Sequence, residues 1–156
     1  MTTFLIFLHV VAAILLLGPV VVSTSMFPRQ VAESRAGGEE ATGRASVLYR
    51  ITKTYGMLSL LVPLLGGAVL ASDWETYKAN YWFHTAIVLS VIAWAILLGM
   101  VIPQQRKMMG TLGALPAADA DPADQTTNFE KSKAKATAGA GIFNLLWVIN
   151  AILMVI

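Results

Sequence analysis

From Thr3 to Phe27 the chain is predominantly apolar and carries one ionisable side chain, His9. A helix that crosses a bilayer needs about 20 such residues, and a surface helix of a soluble domain would show a charged face that this stretch lacks. The run therefore predicts a transmembrane helix. The whole chain agrees: of 156 residues 56% are hydrophobic and 13% charged, against about 45–50% and about 25% in soluble domains. Cleavage of the run as a secretory signal is disfavoured. Its start, Met1-Thr2-Thr3, has no positive charge, and it is longer than the apolar core of about 7–15 residues that such signals use.

Three more runs follow, at 54–72, 81–105 and 136–156. With the first, at 3–27, they predict an all-α, four-helix transmembrane bundle forming a single domain over 1–156. The second run contains Gly56, Pro63, Gly66 and Gly67. Glycines in lipid let neighbouring helices approach closely, and proline is tolerated there, so Pro63 predicts a kink and Gly66 and Gly67 predict helix packing. Pro103, followed by Arg106-Lys107, predicts the end of the third helix. Trp74, Tyr77, Tyr81 and Trp82 surround a short hairpin between the second and third runs, the residue types that settle at headgroup level.

Segments 28–53 and 106–135 gather most of the charge and read as aqueous loops. The first has a short helical lead-in over Ala45 to Tyr55. The second, with Asp119, Asp121 and Asp124 among alanines and prolines, reads as mobile. Orientation follows from lysine and arginine. Five lie in each long loop (Arg29, Arg35, Arg44, Arg50, Lys53; Arg106, Lys107, Lys131, Lys133, Lys135), and only Lys78 lies in the hairpin. Both loops are expected in the cytoplasm, which gives an N-out, C-out topology.

With no cysteine, thiolate metal sites, iron–sulfur clusters and cysteine nucleophiles are excluded. The basic residues form no stripe interleaved with aromatics, so nucleic acid is not expected as a partner. No serine elbow, paired intramembrane carboxylates or phosphate loop is present, and proton-coupled transport normally places acidic or basic residues in a span. Catalysis is therefore not the expected role.

The polar groups inside the spans are the candidate functional residues. His9 and His84 fall at comparable depth near the outer ends of the first and third helices. If those helices faced each other, the two rings could hold one haem b iron axially, as facing side chains do in helical bundles. The alternative is that each ring sits at the interface, bonded to a carbonyl, a hydroxyl or water. Zinc or copper on the same pair is weaker, because a closed site wants about four ligands. Asn144, Trp147 and Asn150 put two amides and an indole into the last span, where such groups commonly join helices or subunits, and Gly139 and Gly141 predict a close crossing.

Phe7-Leu8-His9-Val10-Val11-Ala12-Ala13, then Phe27-Pro28-Arg29, then Tyr81-Trp82-Phe83-His84, resembles small four-helix bacterial integral membrane proteins of a family without assigned function. More distantly the pattern is similar to the haem-binding membrane protoporphyrinogen oxidase of bacteria and to the membrane domain of copper-resistance proteins. The resemblance to the oxidase implies haem on His9 and His84. The chain departs from that family at Thr85-Ala86, where the oxidase tends to have lysine, and at Ile14 to Leu17, where it has aromatic bulk. The expected function is a non-catalytic protein of the bacterial cytoplasmic membrane, an accessory or assembly subunit of a larger complex, such as a respiratory one. Its partners would be the lipid bilayer and other membrane proteins or further copies of itself, and a haem-carrying redox protein is the alternative.

Overall fold

A computed structural model describes Met1 to Val155. Ile156, the last residue of the predicted fourth span, lies outside the described residues. The chain folds into four long helices, each long and apolar enough to cross a membrane: α1 (Thr2–Arg35), α2 (Glu39–Ser72), α3 (Tyr81–Thr111) and α4 (Phe129–Leu153). It is an all-α bundle. α1 packs along α2, α2 along α3, α3 along α4, and α4 returns to α1, whereas α1 and α3 are diagonal and barely touch.

Four of the predicted boundaries move outward along the helices: the ends of the first and third runs, and the starts of the second and of the fourth, which begins at Phe129 and not at Ala136. Segment 28–53 is not a loop: α1 continues through Pro28 to Arg35, and α2 begins at Glu39. The turn is Ala36 to Gly38, where Gly37 takes φ +100°, a backbone conformation that side-chain-bearing residues rarely adopt. Likewise Pro103 does not end α3, which runs to Thr111. Proline interrupts a helix because it lacks an N–H and its ring crowds the carbonyl four residues back. α1 and α3 absorb Pro19 and Pro103 by widening into single π-type turns just before them, at Ala13–Leu17 and Leu97–Val101.

Pro63 acts differently. The chain steps out of helical pairing at Ser59 and Leu60, and Leu60 N–H donates to Met57 instead of Gly56. The freed Gly56 carbonyl accepts from Ser59 Oγ at 2.7 Å and from Trp94 Nε1 of α3 at 3.1 Å. The break thus becomes a tie between α2 and α3.

At 34 residues each, α1 and α2 are roughly 51 Å long at about 1.5 Å per residue, well beyond a hydrocarbon core of about 30 Å. Their antiparallel register is fixed by bonds between Ser23 and Thr52 (2.9 Å), between Gln30 and Arg44 (2.6 Å), and between Ser34 and Thr42. In that register Lys53 stands near Val22. Charge therefore begins at a level several residues before Phe27, the predicted end of the first span, and Phe27 is fully buried in protein.

Two apolar cores result. One, around Leu17, Val20, Val62, Leu97 and Phe143, lies between the spans. The other, around Phe27, Val31, Tyr49, Met108, Met109 and Phe129, lies at the charged end. Segment 112–128, expected to be mobile, covers this second core. Leu112, Ala114 and Leu115 pack against it, and Pro122–Thr126 forms a short 3₁₀ helix closed by reciprocal caps between Asp121 and Asp124. Asp124 is buried and receives both Arg106 terminal nitrogens at 3.3 and 3.4 Å, while Arg106 also donates to the Asp119 carbonyl at 2.9 Å. Lys53 pairs with Asp119 at 3.2 Å. Alanine and proline composition signalled disorder, but the acidic residues are spaced to grip one arginine. Asp124 fits only because residue 110 is glycine, since a Cβ there would run into its carboxylate.

Candidate functional site

The other end of the bundle is open. None of the residues of α1 from Thr2 to Ala12 is buried, and between α1, the end of α2, the α2–α3 hairpin and the end of α4 lies a cleft of about 460 Å³. Its walls are aliphatic, from Val10 and Ile14 of α1, Val69 of α2 and Met154 after α4, with Phe83 adding an aromatic face. Its polar groups are His9, Tyr77 and Asn80.

His9 is half-buried against α2. Its Nδ1 lies 2.9 Å from the Val62 carbonyl, one residue before Pro63, and its ring rests on Gly66, whose missing side chain makes the space. A Cβ there would stand 3.3 Å from His9 Cε1. A carbonyl only accepts hydrogen bonds, so in the neutral ring Nδ1 carries the proton and Nε2 keeps its lone pair. Nε2 has no partner among the described residues and belongs to a ring that lines the cleft.

Asn80 caps α3, its Oδ1 accepting from Phe83 N–H at 3.1 Å, and its carbonyl accepts from His84 Nδ1 at 2.8 Å. Tyr77 and Phe83 rings stack at 5.2 Å, tilted by 34°. His84 itself is exposed and does not line the cleft. It sits on the helix diagonal to that of His9. The cleft offers one imidazole nitrogen, from His9. Among the described residues no group of three metal-ligating side chains occurs.

The last span behaves as two relays and an orphan. Asn150 donates to Ser90 Oγ of α3 at 3.1 Å, and Ser90 donates to the Ala86 carbonyl at 2.8 Å. Asn144 donates to Ser25 Oγ of α1 at 2.9 Å, and Ser25 donates to the Val21 carbonyl at 2.7 Å. In both, a serine that bonds back to its own helix presents a lone pair to the amide. Trp147 does not join helices by hydrogen bonding: its Nε1 is buried without a partner among the described residues, as are Oδ1 of Asn144 and Asn150. Its ring instead meets the edge of Phe143, with centroids 6.1 Å apart.

The predicted packing glycines also divide. Gly66 seats His9 and Gly139 seats Met100 and Val101 of α3, whereas Gly67 and Gly141 have no neighbour within 4 Å of the Cβ position. The sequence marks Tyr77 only as a belt residue of the hairpin and gives Asn80 and Phe83 no role of their own. The one signal for more was Asn80 standing three residues before Phe83 and four before His84, the spacing at which a cap and a carbonyl bond both form. Compared with protein-family models, curated proteins and solved structures, the chain matches none.

Proposed function

We propose that this multi-pass protein is a non-catalytic subunit of a larger membrane assembly, such as a respiratory complex of a bacterial plasma membrane, and that the α1–α2 hairpin is its docking element on the cytoplasmic side. The observation that carries this reading is an open groove of about 540 Å³ along the hairpin, lined by Met26, Val47 and Leu48 and rimmed by Gln30, Glu40 and Arg44. Met26 and Val47 are 51% and 56% exposed at or beyond the level where charge begins, where lipid tails no longer cover them. Apolar surface rimmed by polar groups is the composition of a partner interface.

Purification in mild detergent tests it. A stoichiometric membrane-protein partner is expected to copurify and to be lost in Val47→Asp, with the helical content and monodispersity of the variant unchanged. A monodisperse protein without partner in both forms would overturn the reading. A Soret band abolished by His9→Ala and also by His84→Ala would replace it with the haem reading. The chain has no cysteine, so orientation is tested separately: Ala36→Cys should be shielded from an impermeant thiol reagent in intact cells and Glu75→Cys labelled.

A further inference from the structure

The cleft at the His9 end has a chemistry of its own, independent of the hairpin groove. We infer that it binds the head of a lipid-borne hydroquinone or phenol, whose hydroxyl donates a hydrogen bond to His9 Nε2. Five observations lead there. The Val62 carbonyl fixes the proton on Nδ1, so the free nitrogen is an acceptor, and the ligand must bring a donor. A ketone, an ether or a plain acyl chain has none.

The walls are apolar, and the rim residues Val10 and Ile14 are 47% and 67% exposed on a membrane-crossing helix. The entrance therefore opens where lipid lies, and a ligand arriving through it is itself lipid-soluble. Phe83, already stacked on Tyr77, provides a flat face that favours an aromatic head over an aliphatic alcohol. Asn80 uses its Oδ1 on the Phe83 N–H and retains its amide donors, which match the second oxygen of such a head. A volume of about 460 Å³ falls in the range of about 300–1,000 Å³ usual for small-molecule sites.

The site is built by the interruption of α2. Pro63 disrupts the second helix, Val62 turns its carbonyl to the imidazole, and Gly66 leaves room for the ring. The same carbonyl that orients His9 sets its hydrogen-bonding sense, as outer-shell partners do for ligand histidines.

The chain has two histidines, so ¹⁵N-imidazole labelling of the full protein in lipid nanodiscs gives two rings, with His84 as internal control. The probes are a decyl-chain benzohydroquinone, kept reduced without oxygen, and its dimethyl ether, which keeps the ring and the tail, is larger by two methyl groups and has no donor. The hydroquinone is expected to move the His9 Nε2 resonance and leave His84 in place, and the ether to bind about tenfold more weakly, the worth of one hydrogen bond. His9→Leu should weaken the hydroquinone by a similar factor. Should that variant fail to fold, Val10→Trp at the rim keeps the histidine and should abolish binding by filling the entrance. Equal binding of the ether, equal movement of both rings, or no movement of either would overturn the assignment and leave the cleft to acyl chains.

Discussion

The two ends of the bundle are built on opposite terms. At the charged end, four helices and an irregular segment close over Phe27, Tyr49, Met108, Met109 and Phe129, and the buried carboxylate of Asp124 is gripped by Arg106. At the histidine end, the first eleven residues of α1 bury nothing completely, and a cleft replaces the core. Water explains the difference. Beyond the lipid, apolar side chains gain by burial at about 25 cal/mol per Å², so the hairpin and the 112–128 segment have reason to close. Within lipid that drive is absent, since acyl chains are as apolar as leucine, and contacts persist only where packing or hydrogen bonds hold them. An end where α1 meets α2 through one imidazole–carbonyl bond and an exposed Ser72–Thr2 bond can remain open at little cost.

The sharpest way to break the contrast is at its two glycines. Gly110→Val drives a side chain into the Asp124 carboxylate. The Arg106 pair must then open or the segment lift, and breaking a buried ion pair costs about 3–5 kcal/mol. Thermal unfolding in detergent should show a large loss, and limited proteolysis should cut within 112–128 in the variant only. At the other end, Gly66→Ala places its Cβ 3.3 Å from His9 Cε1, and the ring can move into the cleft. The expected loss is below about 1 kcal/mol, at the low end for point substitutions. Equal losses at the two positions would mean that the histidine end is packed as tightly as the charged one.

An intermediate effect is expected where polar groups hold the spans together. Asn150 is buried and bonded to Ser90, and hydrogen bonds between membrane helices average about 0.6 kcal/mol, up to about 1.7. Asn150→Leu should therefore destabilise by about 1 kcal/mol. Asn144→Leu should cost less, because the Asn144–Ser25 bond is exposed. A reversal of that order, measured by unfolding in one detergent, would place the stronger joint between α1 and α4.

The same contrast governs what sequence could reveal. Hydropathy over 3–27, 54–72, 81–105 and 136–156 suffices for the four helices, because lipid requires every backbone group to be satisfied within its own helix. It could not show that α1 and α2 continue beyond the apolar runs, since charge at Arg29 or Arg44 signals the end of the lipid and not the end of the helix. Pro28 misled for a related reason: it stands inside a helix that tertiary contacts hold together. His9 was visible as an isolated imidazole, but its partner is a main-chain carbonyl of Val62, and carbonyls carry no sequence mark. Asp119, Asp121 and Asp124 looked like solvated charge because Arg106, which organises them, lies across a turn and on another element.

The smallest effects separate contacts that look alike as ion pairs. Arg29–Glu33 at the charged end and Glu75–Lys78 at the other are both exposed, whereas Asp124 in the Arg106 pair is 4% exposed. Exposed pairs gain little because water and salt screen them and two long side chains lose freedom in forming them. Glu33→Gln and Glu75→Gln, alone or together, should leave the unfolding temperature unchanged within error at low salt and at 0.5 M salt, a concentration at which the Debye length falls to roughly 4 Å. Asp124→Asn should lower it at both salt concentrations, because its cost arises from an arginine left without its buried partner and not from a field that ions can screen. If salt erased the Asp124→Asn effect, the pair would be acting through water, and the distinction between a closed end and an open one would rest on the apolar core alone.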